Sequence, residues 1–122
     1  PRRLAAIQAD VSSLFDAHAV DVLAIERVLF QVNVRTALSV GQASGIAMVE
    51  AARRDIDVVE YSPNAVKGAV VGYGAATKEQ VQRMVQVILG LAELPRPPDA
   101  ADAAAVALCH LTHTATSSAA RR

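Results

Sequence analysis

The chain has 122 residues, 52% of them hydrophobic but only 3% aromatic, and twelve basic side chains balance twelve acidic ones. That length holds one modest domain with a single core, and so apolar a composition excludes disorder outside the ends. Zero net charge and a short aromatic roster (Phe15, Phe30, Tyr61 and Tyr73) argue against a uniformly basic DNA-binding domain or a base-stacking platform, so any nucleic-acid role must rest on local charge placement.

Residues 3–18, "RLAAIQADVSSLFDAH", repeat Leu4, Ile7, Val11, Leu14 and Phe15 at helical spacing and predict an amphipathic helix ending near His18. Val22 to Ile25 is a short continuous apolar run, the pattern of a strand covered on both faces, and it ends in Glu26 and Arg27. Asn33 is the expected N-cap of a long helix running to Asp55. Gly41 and Gly45 lie one turn apart inside it and imply close approach by another backbone, from the domain's own sheet or from a second subunit. Arg53, Arg54 and Asp55 read as a solvated helix end.

Ile56 to Ser62 alternates as a second strand, and Pro63 opens a short helix reaching Gly72. After the "GYGAA" loop, Thr77 and Gln80 have capping-box spacing at the head of another helix. "PRPP", residues 95–98, is a stiff connector to an Ala-rich helix over 99–113, and the residues beyond form a frayed tail. The order α-β-α-β-α-α-α implies a parallel α/β sheet. Two strands are few for an independent domain, so further strands are expected upstream of Pro1, and the lack of an initial Met is in keeping with a fragment.

Cys109 is the only cysteine, which excludes an intramolecular disulfide and a Cys-rich zinc site and leaves a buried apolar role on a helix. His110 and His113 share a helix face but have no third ligand near in sequence, so solvent-facing or core-edge positions are expected. No apolar run approaches membrane-spanning length and no signal-peptide pattern is present, so a soluble cytoplasmic protein is the expectation.

The carboxylates carry the chemistry. An isolated carboxylate in an apolar core costs several kcal/mol unless paired, protonated or bound to metal. Glu26 stands at the carboxyl end of its strand, the edge where open α/β sheets hold ligands. Asp99 and Asp102 are three apart in the first turn of a helix, where the helix dipole alone would favour acids. Capping does not explain Glu26, and three convergent carboxylates would make a hard oxygen site suited to Mg²⁺. Lys67 and Lys78 flank "GAVVGYGAAT", whose glycines permit close approach to a phosphate; solvated lysines are the plainer alternative.

In order, "AIERV", "NVRTALSVGQASG", "YSPNAVKGAVVGYGAATKEQV" and "DAADAAAVALCH" resemble the RuvC-type Holliday-junction resolvases over nearly the whole chain. The resemblance implies a ribonuclease H-like α/β fold and a homodimer that cuts two symmetric strands of a four-way DNA junction. It implies Mg²⁺, two ions per site, held by Glu26, Asp99 and Asp102 as three of the family's four acids. Lys67 and Lys78 fall on its basic positions near the scissile phosphate; Arg27, facing away from Glu26 on the strand, is by its own position a candidate phosphate contact. Leu38, Gly41, Gly45 and Met48 lie on the helix similar to the family's dimer interface. The RuvA–RuvB branch-migration complex is the implied partner assembly.

Two departures qualify it. The family's first acid sits in a "D-PG" motif on its first strand, and this chain has no such segment. Residues 1–114 are therefore expected to be the resolvase domain, N-terminally truncated by three strands and inactive alone, with 115–122 a disordered tail. The family often has Phe three residues after the glutamate; here that position is Leu29, with Phe30 beside it, so either Phe30 takes over base stacking or stacking is weakened. The rival readings are a YqgF-type resolvase, a non-catalytic junction-binding or dimerisation module, and a small α/β interaction domain with no nucleic-acid role.

Overall fold

A computed structural model describes residues 1–27 and 34–120. Its elements in chain order are α1 (Arg2–Ala17), β1 (Val22–Glu26), α2 (Val34–Arg53), β2 (Asp57–Tyr61), α3 (Pro63–Val70), α4 (Lys78–Leu89) and α5 (Pro98–Ala120). This is the expected order, with parallel strands β1 and β2 paired as neighbours. Asn33 lies outside the described residues. Helix α5 runs past His113, and the segment expected as a tail overlaps its last turns and two residues outside the description.

The chain divides into two compact units, Pro1–Glu60 and Tyr61–Arg122. In the first, α1 packs on α2 and α2 on β1. Strand β1 is half-buried along Val22–Ile25 and exposed at Glu26, which corrects the expectation of a strand covered on both faces. In a two-stranded sheet β1 has one hydrogen-bonded neighbour, so its other edge has no strand partner among the described residues.

In the second unit α5 packs against α3 and α4. Ala101, Ala105 and Cys109 recur at four-residue spacing and are all buried on α5, and Val66, Val70, Val81 and Val85 are buried from α3 and α4. Small residues on α5 let valines approach closely. The helix starts are local chemistry. Ser62 accepts from the Ala65 amide before Pro63, and Thr77 and Gln80 complete the capping box, as expected. Helix α4 ends at Gly90 in the left-handed conformation (φ 66°), with Leu91 N–H donating to Gln86 O. Helix α2 ends in the same pattern, but with Asp55 at φ 55° in the left-handed position and Ile56 N–H donating to Ala51 O.

Candidate functional site

The expected site residues fall in both units. Glu26 ends β1 in the first, with its side chain exposed. That exposure removes the large desolvation cost expected of a buried, metal-free carboxylate. Arg27 follows and forms an ion pair with Glu60 at 3.8 Å, so its guanidinium has a partner at the end of β2. Leu29 and Phe30 lie outside the described residues.

In the second unit α5 begins at Pro98, so Asp99 lies in its first turn while Asp102, expected there too, falls just beyond it; Lys67 lies in the last turn of α3, where a cation suits the dipole. Lys78 begins α4 at the end a cation disfavours. Its Nζ lies 3.7 Å from Asp102, a partner across the α4–α5 contact that sequence spacing does not reveal. Asp99 and Asp102, three residues apart on α5, offer the hard oxygen donors a divalent ion takes, and such an ion would compete with Lys78 for Asp102. Among the described residues, no three His, Cys, Asp or Glu side chains gather closely enough to hold a metal ion.

The outer surface of α2 carries the expected interface residues. Leu38 is 56% exposed, and a side chain at Gly41 or Gly45 would meet no atom within 4 Å, so no backbone among the described residues packs closely on either glycine. Leu38, Gly41, Gly45 and Met48 alternate at spacings of three, four and three, the seam of a helix–helix contact.

The reading of Arg53, Arg54 and Asp55 as a solvated helix end is corrected at Arg54. Glu50, 2% exposed, accepts from Gln8 Nε2 at 2.8 Å and from Arg53 at 3.3 Å, and pairs closely with Arg54. Arg54 also reaches Ser12 Oγ at 2.6 Å and Asp16 at 3.2 Å, with its guanidinium 5.8 Å from the Phe15 ring. The Gln8 amide and the Arg54 guanidinium hold the Glu50 carboxyl below its ordinary range, against the opposing effect of burial. The i,i+4 spacing of Glu50 and Arg54 was the available signal; the partners on α1 lie some forty residues away and leave none.

Cys109 is fully buried, as expected, and burial pushes its thiol up. His110 and His113 are core-edge residues, both packed against the Tyr61 ring. No helix among the described residues is long and apolar enough to cross a membrane.

The α/β fold with parallel strands is that of the ribonuclease H-like class. The family model for "Crossover junction endodeoxyribonuclease RuvC" matches residues 1–110, and the chain belongs to that family. It is similar to the relative from Moorella thermoacetica, 52% identical over 89% of this chain and 65% of the relative, and to that from Syntrophomonas wolfei, 50% identical over 91% and 64%. The chain thus spans a little under two thirds of these relatives. Two solved structures are also similar. "Thermus thermophilus RuvC structure" gives a TM-score of 0.87 at 37% identity, covering 95% of this chain and 70% of that one. "T. thermophilus RuvC in complex with Holliday junction substrate" gives 0.86 at 38%, covering 93% and 68%.

Proposed function

We propose that this chain is the larger part of a cytoplasmic, structure-selective endonuclease that resolves four-way DNA junctions by Mg²⁺-dependent phosphodiester hydrolysis. The observation that carries this reading is the family match across residues 1–110, together with likeness to a relative in complex with a Holliday junction. Glu26, Asp99 and Asp102 are the metal ligands of the reading. Mg²⁺, when bound, would polarise the scissile phosphate and acidify an attacking water. Asp99 and Asp102 present their carboxylates from one helix turn, and the "D-PG" acid of the family pattern would complete the set from a segment preceding Pro1.

Lys67 and Lys78 hold the phosphate backbone on either side of the glycine loop, and Arg27 adds a phosphate contact. Leu29 and Phe30 meet the junction bases. A second copy docks along Leu38, Gly41, Gly45 and Met48, supported by the exposed leucine and the open space at both glycines. The dimer then places two sites on two strands, and RuvA–RuvB is the partner assembly.

The test has two arms. In EDTA the chain should bind a four-way junction in preference to linear duplex, with affinity falling as salt rises. In Mg²⁺ the longer protein should cleave the junction and lose cleavage, but not binding, on Glu26→Gln; this chain alone should not cleave. Equal binding to junction and duplex would sink the reading. Junction binding without cleavage in the longer protein would favour the non-catalytic module.

A further inference from the structure

Tyr61 closes β2 with its ring buried, at 9% exposure, against α5. Its hydroxyl lies 2.7 Å from His110 Nδ1, and its ring centroid is 5.9 Å from that of His110 and 5.1 Å from that of His113. The far side of the His110 ring is also engaged, with Nε2 3.3 Å from Thr114 Oγ1. That threonine donates its own proton to His110 O at 3.0 Å, so its oxygen accepts from Nε2–H. Nδ1 of the neutral ring is then bare and accepts the tyrosine O–H. One tautomer satisfies every partner.

What such a contact does follows from the rest of α5. Its inner face is buried and mostly small, with Val106 the one larger side chain beside Ala101, Ala105 and Cys109. Methyl-sized side chains let a helix pack closely while offering few knobs to stop it turning or sliding. A short, directional hydrogen bond from Tyr61, which directly precedes the α3 cap Ser62, adds to the register of α5. His110 lies about three turns beyond Asp99, nearly on the same helix face, so a rotation of α5 at His110 is carried to the first turn.

We propose that Tyr61 and His110 form a register clamp that fixes the rotation and axial position of α5, and thereby positions the Asp99 and Asp102 carboxylates. They are positioning residues, and the proposal rests on reading those two carboxylates as metal ligands.

The test uses the whole ¹⁵N-labelled chain and Mn²⁺ as the probe. Ring-nitrogen shifts of His110 should report the Nε2–H tautomer, and a different tautomer would overturn the clamp. In the unsubstituted chain, Mn²⁺ should broaden the Asp99 and Asp102 signals. Tyr61→Phe, which removes only the hydroxyl, should keep the amide dispersion of residues 61–113 while weakening Mn²⁺ affinity about fivefold. His110→Gln, whose carbonyl still accepts the tyrosine proton, should stay within about twofold of the parent, and His110→Leu should match Tyr61→Phe. A folded Tyr61→Phe with parental affinity overturns the clamp and leaves the ligand reading standing. No broadening at Asp99 and Asp102 in the unsubstituted chain overturns both. Should Tyr61→Phe fail to fold, the two His110 variants decide: equal affinity in Gln and Leu overturns the clamp.

Discussion

The two units hold their helices together by different chemistry. In Pro1–Glu60 the buried residues among those described are Ala37, Ala51 and the charged Glu50, and α1 has no buried residue at all. Helix α1 is tied to α2 by Gln8, Ser12 and Asp16, which converge on Glu50 and Arg54. Among the described residues of Tyr61–Arg122 ten buried apolar ones, from Tyr61 to Cys109, form an ordinary core. A buried ionic network fixes one geometry but depends on every member keeping its charge. An apolar core depends only on shape and on water.

The sharpest way to break this comparison is Glu50→Ala. It removes the carboxylate on which Gln8, Arg53 and Arg54 converge, leaving Arg54 only Ser12 and Asp16, and we expect the largest loss, a fall in Tm of more than about 5 °C. Hydrogen exchange should locate that loss in α1 and α2, with α3–α5 protection unchanged; uniform loss would mean the units do not differ. Val85→Ala is the counterpart. Val85 is fully buried, so two lost methyls and the cavity cost about 2–3 kcal/mol, read as earlier urea unfolding of α3–α5.

Acid should separate the units without substitution. The Glu50 carboxyl is held below its ordinary value of 4.5, so its stabilisation is complete above that pH and lost as pH falls through the lower folded value. Amide protection in α1–α2 should therefore fail first in an acid titration below about pH 4.5, and simultaneous failure of both units would refute the contrast. The smallest effects concern the matched helix ends. Gly90→Ala should destabilise by about 1 kcal/mol, whereas Asp55→Gly should stabilise by roughly 0.5–1 kcal/mol, both from denaturant midpoints.

Local signals were legible in the sequence and long-range ones were not. The Thr77–Gln80 box and the Pro63 start are set by neighbours within a turn, and the structure has them where spacing puts them, whereas the strands differ from expectation by one residue, β1 at its end and β2 at both ends. Arg54 read as solvated because three of its partners sit on α1, and burial of Glu50 leaves no local mark. Lys78 read as misplaced on its helix until Asp102 supplied the opposite charge. The acids of α5 could be placed by pattern, since three-residue spacing on a helix is geometry. The Tyr61–His110 bond, forty-nine positions apart in sequence, could not.

Cys109 gives the second unit an internal clock. Its sulfur has no solvent exposure, its proton is held by burial, and it is the sole thiol in the chain. A reagent in excess can consume it only when α5 lifts from its neighbours. Once raising the reagent concentration no longer raises the consumption rate, that rate is the rate of those liftings, so the rhythm at which the helix bearing Asp99 and Asp102 breathes can be timed in the unaltered chain.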